Sequence, residues 1–330
     1  MYNLLLVVPR GAEMSDPFYQ LQWQLLVDPQ LTARQVQIWI ATLACRVPDI
    51  AGNKWLKLKY HIQQIQQHNK KGILSFGGAF SNHLVALAAA GKHFGFATVG
   101  IVRSHQADLH NPTLQRCTEL GMQLKFVSPE QYRNRQHAEF VAELCTLYPD
   151  YLMVPEGGSS PLALPGLAEP PILQTPSGSA SLISCATASG GTLAGLSAAH
   201  PTTAVLGISV VKDASLPDRI RQLVPVDAPQ NWQLRQEQSQ KPYGKFTPQT
   251  LQFCLDLTQQ QIYTEPVYSG KALQSLVLWA QQGDFAPGSH IAFFHTGGLQ
   301  GLAGLYYRGL INQQQYQQLQ PQVNAADPAE

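Results

Sequence analysis

From Leu58 onward the apolar and polar positions switch repeatedly between two periods, short β-rich runs and longer amphipathic stretches. Leu58–His68 reads as a helix, Gly72–Phe76 as a strand, Asn82–Phe94 as an Ala-rich helix and Thr98–Val102 as a strand. Pro112–Leu120 then reads as a helix, Gln123–Val127 as a strand, Asn134–Leu147 as a helix and Tyr151–Val154 as a strand. Strands alternating with crossover helices predict a parallel α/β unit. The Gly- and Pro-rich segment Glu156–Ser179 breaks this rhythm and reads as a hinge or crossing point.

A second series follows. Ser181–Ala186 and Ala204–Val211 read as strands around a helix at Gly190–Ala199, and Asp227–Lys245 as a long polar loop. Thr247–Gln260 and Lys271–Gln282 read as helices, His290–His295 as a strand, and Gly298 opens a last helix. Gln313–Glu330 loses apolar periodicity after its first turns and predicts a mobile tail from about residue 315. Two series separated by a breaker predict two α/β domains.

Composition narrows the class. Of 330 residues 44% are hydrophobic and only 13% charged, against about 25% charged in an ordinary globular chain. Such a chain buries a large core, and its surface is solvated mainly by amides. With 22 basic and 21 acidic residues the net charge is +1, which removes the footprint of a nucleic-acid binder. No apolar run reaches the length of a membrane-spanning helix, and Leu4–Val8 is too short for a signal-peptide core. Cys45, Cys117, Cys145, Cys185 and Cys254 are widely spaced and odd in number, as expected of reduced thiols in a cytoplasmic protein rather than a disulfide framework or zinc site.

Three glycine-rich turns each follow a predicted strand and open a helix: Phe76-Gly77-Gly78-Ala79-Phe80-Ser81-Asn82-His83, Thr187-Ala188-Ser189-Gly190-Gly191-Thr192 and His295-Thr296-Gly297-Gly298. They present unpaired backbone N–H groups and small hydroxyls to a ligand at the carboxyl ends of the strands. None is a dinucleotide fingerprint or a nucleotide phosphate loop; Ser189–Thr192 suits a single phosphate. Of the lysines at 54, 57 and 59, Lys57 and Lys59 read as solvated helix-face residues. Lys54, directly after Gly52-Asn53 at a loop-to-helix junction, is the candidate reactive amine, its pKa lowered by neighbouring cations and a helix N-terminus. A reactive lysine with a phosphate cradle suggests pyridoxal 5'-phosphate.

The motifs Gly52-Asn53-Lys54, Gly77-Gly78-x-x-Ser81-Asn82-His83, Pro155-Glu156-Gly157-Gly158-Ser159, Ser189-Gly190-Gly191-Thr192-Leu193-Ala194-Gly195, Glu265-Pro266-Val267-Tyr268-Ser269-Gly270-Lys271 and His295-Thr296-Gly297-Gly298-Leu299 occur in this order. Together they resemble the 1-aminocyclopropane-1-carboxylate deaminase/D-cysteine desulfhydrase family of fold-type II, tryptophan-synthase-β-like enzymes. The resemblance implies two three-layer α/β/α domains with mainly parallel sheets. Residues 65–167 would form a small domain inserted in a large cofactor-binding one made of 1–64 and 168–330. It implies a homodimer, an amino-acid substrate, and closure of the small domain over it.

Residue by residue, the resemblance implies that Lys54 binds the cofactor covalently and moves protons at the substrate Cα. Asn82 would bond the cofactor's phenolic oxygen, Ser81 the substrate carboxylate, and Ala188, Ser189, Gly190, Gly191 and Thr192 the phosphate. Tyr243 and Tyr268 match two active-site tyrosines. Ser269 would face the pyridine nitrogen with Thr296 nearby, where the cyclopropane deaminases carry Glu and Leu. A neutral hydroxyl favours a less protonated ring, which suits α,β-elimination from a D-amino acid, giving pyruvate, ammonia and sulfide from D-cysteine, over cyclopropane opening. Three features depart from the family: Arg46 and Asp49 are kept without the intervening Glu, Ala188 replaces a Gly, and the region before residue 35 matches weakly and is short. The alternatives are the sister cyclopropane deaminase, a lyase for a different D-amino acid or β-substituted substrate, a non-catalytic amino-acid-binding homologue, and a serine hydrolase built on Ser81, for which no G-x-S-x-G elbow exists.

Overall fold

The computed structural model describes residues 19–50, 52–104, 108 and 110–321; the Leu4–Val8 run and the last residues of the expected tail lie outside them. The first half comprises β1 (Tyr19–Leu25), α1 (Pro29–Ala33), β2 (Gln37–Cys45), α2 (Asn53–Gln67), β3 (Gly72–Gly78), α3 (Asn82–Phe94), β4 (Ala97–Arg103), α4 (Pro112–Glu119), β5 (Gln123–Val127), α5 (Pro129–Arg133), α6 (Ala138–Leu147) and β6 (Tyr151–Val154). Next come α7 (Leu164–Ala168), the hairpin β7 (Gln174–Thr175) and β8 (Gly178–Ser179), then β9 (Leu182–Thr187), α8 (Gly191–Ala199), β10 (Ala204–Ser209) and α9 (Leu216–Leu223). The last part holds β11 (Trp232–Gln236), α10 (Pro248–Leu257), α11 (Ser269–Gln282), β12 (His290–His295), α12 (Gly301–Tyr307) and α13 (Gln313–Gln318).

The strands form two main sheets, the cores of two α/β units. Four parallel strands in the order β5-β4-β3-β6 make the smaller. Six make the larger, in the order β1-β2-β12-β9-β10-β11, with only the β1–β2 pair antiparallel. Strands covered on both faces read as continuous apolar runs, which is why β3 and β12 stand out in the sequence and are almost wholly buried. Helix α3 starts on Ser81, whose side chain accepts from Leu84 N, and stops at Gly95 in the left-handed conformation, the usual capping asymmetry.

The structure corrects several sequence readings. Asp227–Lys245 contains β11, an edge strand beside β10. The helix expected at Asn134–Leu147 begins only at Ala138, because α5 ends with Arg133 and a turn intervenes. Residues 313–318, read as leading into a tail, form α13, capped by reciprocal bonds between Asn312 and Gln315. Leu319 after it is fully buried against Cys254, Leu255 and Leu302, so the chain is packed several residues beyond 315. All five cysteines are free thiols. No helix among the described residues is long and apolar enough to cross a membrane.

Candidate active site

A cavity of about 1240 Å³ opens where the carboxyl ends of both sheets converge. Gly78 and Arg103 of the smaller sheet line it, as do Ala188, Val211 and Thr296, which follow β9, β10 and β12 of the larger. Strand ends are the ordinary ligand position of an open α/β sheet.

Lys54 enters this cavity from the first turn of α2. Its position is fixed by Gly52, at φ 78°, whose backbone lies so close to the β12 turn that a Cβ there would come within 2.4 Å of Thr296 O. Asn53 N donates to that carbonyl at 3.3 Å. The Asn53 side chain is a two-ended tie: its Oδ1 accepts from Lys54 Nζ at 2.7 Å, and its Nδ2 donates to Thr192 Oγ1 at 2.7 Å. Lys54 is thus coupled to the glycine-rich turn that opens α8. Burial lowers its pKa to about 8; the cause is desolvation, not the neighbouring cations that the sequence suggested.

Lys57 overturns its sequence reading. It is 2% exposed, and its ammonium donates to Gly157 O at 3.2 Å and Ser159 Oγ at 3.1 Å. Ser159 in turn bonds Ser189 at 2.7 Å, and a Cβ on Gly191 would stand 2.5 Å from Ser159 Oγ and 3.1 Å from Lys57 Nζ. Burial first, and Lys54 second, hold the Lys57 amine well below its usual pKa. Among the described residues no carboxylate compensates it, so the 157–159 and 189–191 turns enclose an amine that lacks a counter-ion.

On the other wall Ser81, Asn82 and His83 follow β3 and face the cavity. Gly77 is required there, since a Cβ would come within 2.5 Å of Ser81 Oγ. His83 is 3% exposed, and its tautomer follows from its neighbour. Ser75 Oγ donates to Val154 O at 2.7 Å and therefore accepts at 2.8 Å from His83 Nε2. Nδ1 is left as a bare, buried acceptor without a partner among the described residues. Burial, then the nearby Lys54 and Lys57, keep the imidazole neutral.

Of the remaining predicted residues, Ser189, Tyr243, Tyr268 and Thr296 line the cavity. Tyr268 donates its phenol to Ala186 O at 3.3 Å. Tyr243 sits on a loop anchored by the buried Lys271, which donates to Lys241 O at 3.1 Å and pairs with Glu237 at 3.4 Å. Gly190, Gly191, Thr192 and Ser269, four predicted cofactor contacts, are buried and do not line the cavity. Ser269, fully buried, donates to Gly297 O at 3.0 Å. Glu265, which the sequence reading did not single out, does line the cavity. Its carboxylate accepts from the backbone N–H groups of Val267, Tyr268 and Ser269, while burial raises its pKa to about 7. Its sequence signal is an acidic residue just before Pro266 and the first turn of α11.

A family model described as "Pyridoxal-phosphate dependent enzyme" matches residues 29–297. The chain belongs to this family. A Pyrococcus furiosus protein named "Putative 1-aminocyclopropane-1-carboxylate deaminase" is 29% identical over 272 residues, covering 76% of this chain and 82% of that protein. A Thermotoga maritima protein of the same name is 25% identical over 279 residues, covering 76% and 85%. The crystal structure of an ACC deaminase homologue matches with a TM-score of 0.69 at 25% identity, covering 89% of this chain and 93% of that one. A hydrogen sulfide-producing enzyme of Fusobacterium nucleatum shares the fold at 10% identity with a TM-score of 0.61, covering 86% and 96%. The Pyrococcus protein and the ACC deaminase homologue agree with the deaminase/desulfhydrase family that the motifs resemble, and the enzyme's cofactor is pyridoxal 5'-phosphate.

The site fits that cofactor. Lys54 offers an amine with a pKa near 8, and the uncompensated Lys57, beside glycines that no Cβ could replace without collision, suits a phosphate dianion.

Proposed function

We propose that this pyridoxal-phosphate enzyme eliminates a leaving group from Cβ of a D-amino acid, as a D-cysteine desulfhydrase does. The observation that carries the reading is that the two positions are buried neutral hydroxyls, Ser269, which donates to Gly297 O, and Thr296, the residue before that glycine in the β12 turn. The one carboxylate nearby, Glu265, is held by three backbone N–H groups. The bound cofactor supplies the sink for the electron pair that the Cα–H bond leaves behind.

The chain's own groups do the rest. Ser81 and the N–H groups opening α3 hold the substrate carboxylate. Lys54, as the free amine, takes the Cα proton. The Cβ–S electron pair departs with sulfur, which Tyr268 or Tyr243 protonates. The released aminoacrylate hydrolyses to pyruvate and ammonia. Residues 65–167 would act as the small unit, carrying Ser81 and Asn82, and 1–64 with 168–330 as the large one carrying Lys54, in a homodimer. Closure between them would complete the site.

The relatives' printed name supports a second reading, cyclopropane-carboxylate deamination. Purified holoenzyme offered D-cysteine, L-cysteine, D-serine, β-chloro-D-alanine and 1-aminocyclopropane-1-carboxylate separates the two by keto-acid and sulfide release. Sulfide and pyruvate from D-cysteine are expected; keto acid from the cyclopropane substrate alone would overturn the proposal. Lys54→Ala is expected to lose the borohydride-reducible absorbance band of the holoenzyme.

A further inference from the structure

We infer that the cavity carries a second anion subsite, built from Arg103 and Arg308, that selects amino acids with an additional negative charge on the leaving group at Cβ. The inference deepens the elimination proposed above and rests on it for the reaction, though not for the charge preference.

The charges of the cavity wall do not balance. Glu156 is engaged at both oxygens, by Tyr132 at 2.7 Å and Arg135 at 2.9 Å. Asp213 is held by Arg219 at 2.7 Å and by Ser215, and Glu265 by backbone N–H groups. Among the described residues no carboxylate pairs with Arg103 or Arg308, although both line the cavity. In a chain whose net charge is only +1, this is a local excess of cations at one wall.

The two guanidiniums also share a place. Arg103 ends β4, with Nη2 3.8 Å from where a Cβ on Gly78 would stand and its guanidinium carbon 5.6 Å from the Tyr132 ring centre. The guanidinium carbon of Arg308 lies 4.6 Å from the Phe80 ring centre, and its Nε donates to Gly304 O at 3.2 Å. Gly78 and Phe80 belong to the turn that ends at Ser81, so the two cations flank the residues assigned to the α-carboxylate. Both line the same cavity as Tyr243 and pull its phenol toward ionisation. A guanidinium stacked on a ring keeps its terminal nitrogens free for bidentate bonds to an oxyanion.

Lys57 and the turns around it account for a phosphate, and the Ser81 turn for one carboxylate. Apart from the exposed Lys212, Arg103 and Arg308 are left for a further anion, and the substrate atom pointing away from Cα is the β substituent. The class is a D-amino acid whose β leaving group is itself anionic, a phosphate ester or an S-sulfo thiol. Lys54 takes the Cα proton, the Cβ–O or Cβ–S bond breaks with its electron pair departing on phosphate or thiosulfate, and water hydrolyses the aminoacrylate to pyruvate and ammonia.

The test compares kcat/KM of the holoenzyme for O-phospho-D-serine and S-sulfo-D-cysteine with that for D-cysteine. The Arg103→Met/Arg308→Met double variant should lower the anionic-to-D-cysteine ratio at least 30-fold, and Arg103→Lys/Arg308→Lys should restore most of it. An unchanged ratio, including an equal fall for all substrates, would assign the arginines to the α-carboxylate and overturn the subsite. Turnover of the anionic substrates without D-cysteine turnover would sink the desulfhydrase reading and leave the subsite standing. Should no substrate release keto acid, D-aspartate must shift the cofactor absorbance at a concentration at least tenfold below that needed for D-alanine; equal concentrations refute the subsite.

Discussion

A lysine amine 2% exposed, with a carbonyl and a hydroxyl as its hydrogen-bond partners, is a cost to the protein without its cofactor, because burial either leaves its charge uncompensated or takes its proton. Lys57→Met should therefore raise the unfolding free energy of the apoenzyme, by about 1 to 4 kcal/mol, and weaken pyridoxal 5'-phosphate binding more than tenfold. Affinity for pyridoxal, which lacks the phosphate, should change little; denaturant melts and cofactor titrations read the three quantities. Lys54 makes a pH prediction. Its amine is protonated below about 8 and nucleophilic above, so the rate at which apoenzyme takes up the cofactor should rise from pH 7 and level off above 8. An ordinary lysine would still be gaining beyond pH 10. Lys54 was legible in the sequence because its signal, Gly-Asn-Lys at a helix start, is local. Lys57 was not, because its burial depends on Gly157 and Ser159, a hundred residues away in the chain.

At the scale of elements, the turn between β2 and α2 carries the site, and Gly52 is its constraint. An alanine there would need φ 78° and would meet Thr296 O at 2.4 Å. Gly52→Ala should cost at least about 2 kcal/mol of stability and displace Lys54 from the cavity, visible as a lower urea midpoint and a weakened cofactor band. Among the elements that the sequence revealed are the central strands β3, β4, β9, β10 and β12, apolar on both faces, and α3, which carries its own caps. Those it hid are the interior strand β2, whose run is interrupted by Thr42, and two edges of the larger sheet. In β1 and β11 only alternate positions are apolar, and the rest are the glutamines and arginine of a solvated face. Helix α9, with only Leu216 and Ile220 buried, sits in a stretch too polar for its periodicity to stand out.

The whole molecule holds its cofactor site between two sheets, so occupancy and stability are linked. Holoenzyme at a free cofactor concentration 100-fold above Kd should be more stable than apoenzyme by about 2.7 kcal/mol, and the difference should fall away when Lys57→Met is assayed at the same concentration. Calorimetry with and without cofactor checks this.

The strand order of the larger sheet has a consequence in time. β12 lies between β2 and β9, pairing with both, and the turn after it supplies the carbonyl on which Gly52 and Asn53 rest. A chain leaving the ribosome has made Lys54 long before it has made Thr296, yet β2 and β9 have no common neighbour until residue 290 arrives. The smaller sheet, complete by Val154, has every strand it needs much earlier. The reactive lysine is therefore synthesised well before the turn that puts it in place, and a chain interrupted before β12 carries the amine without the site.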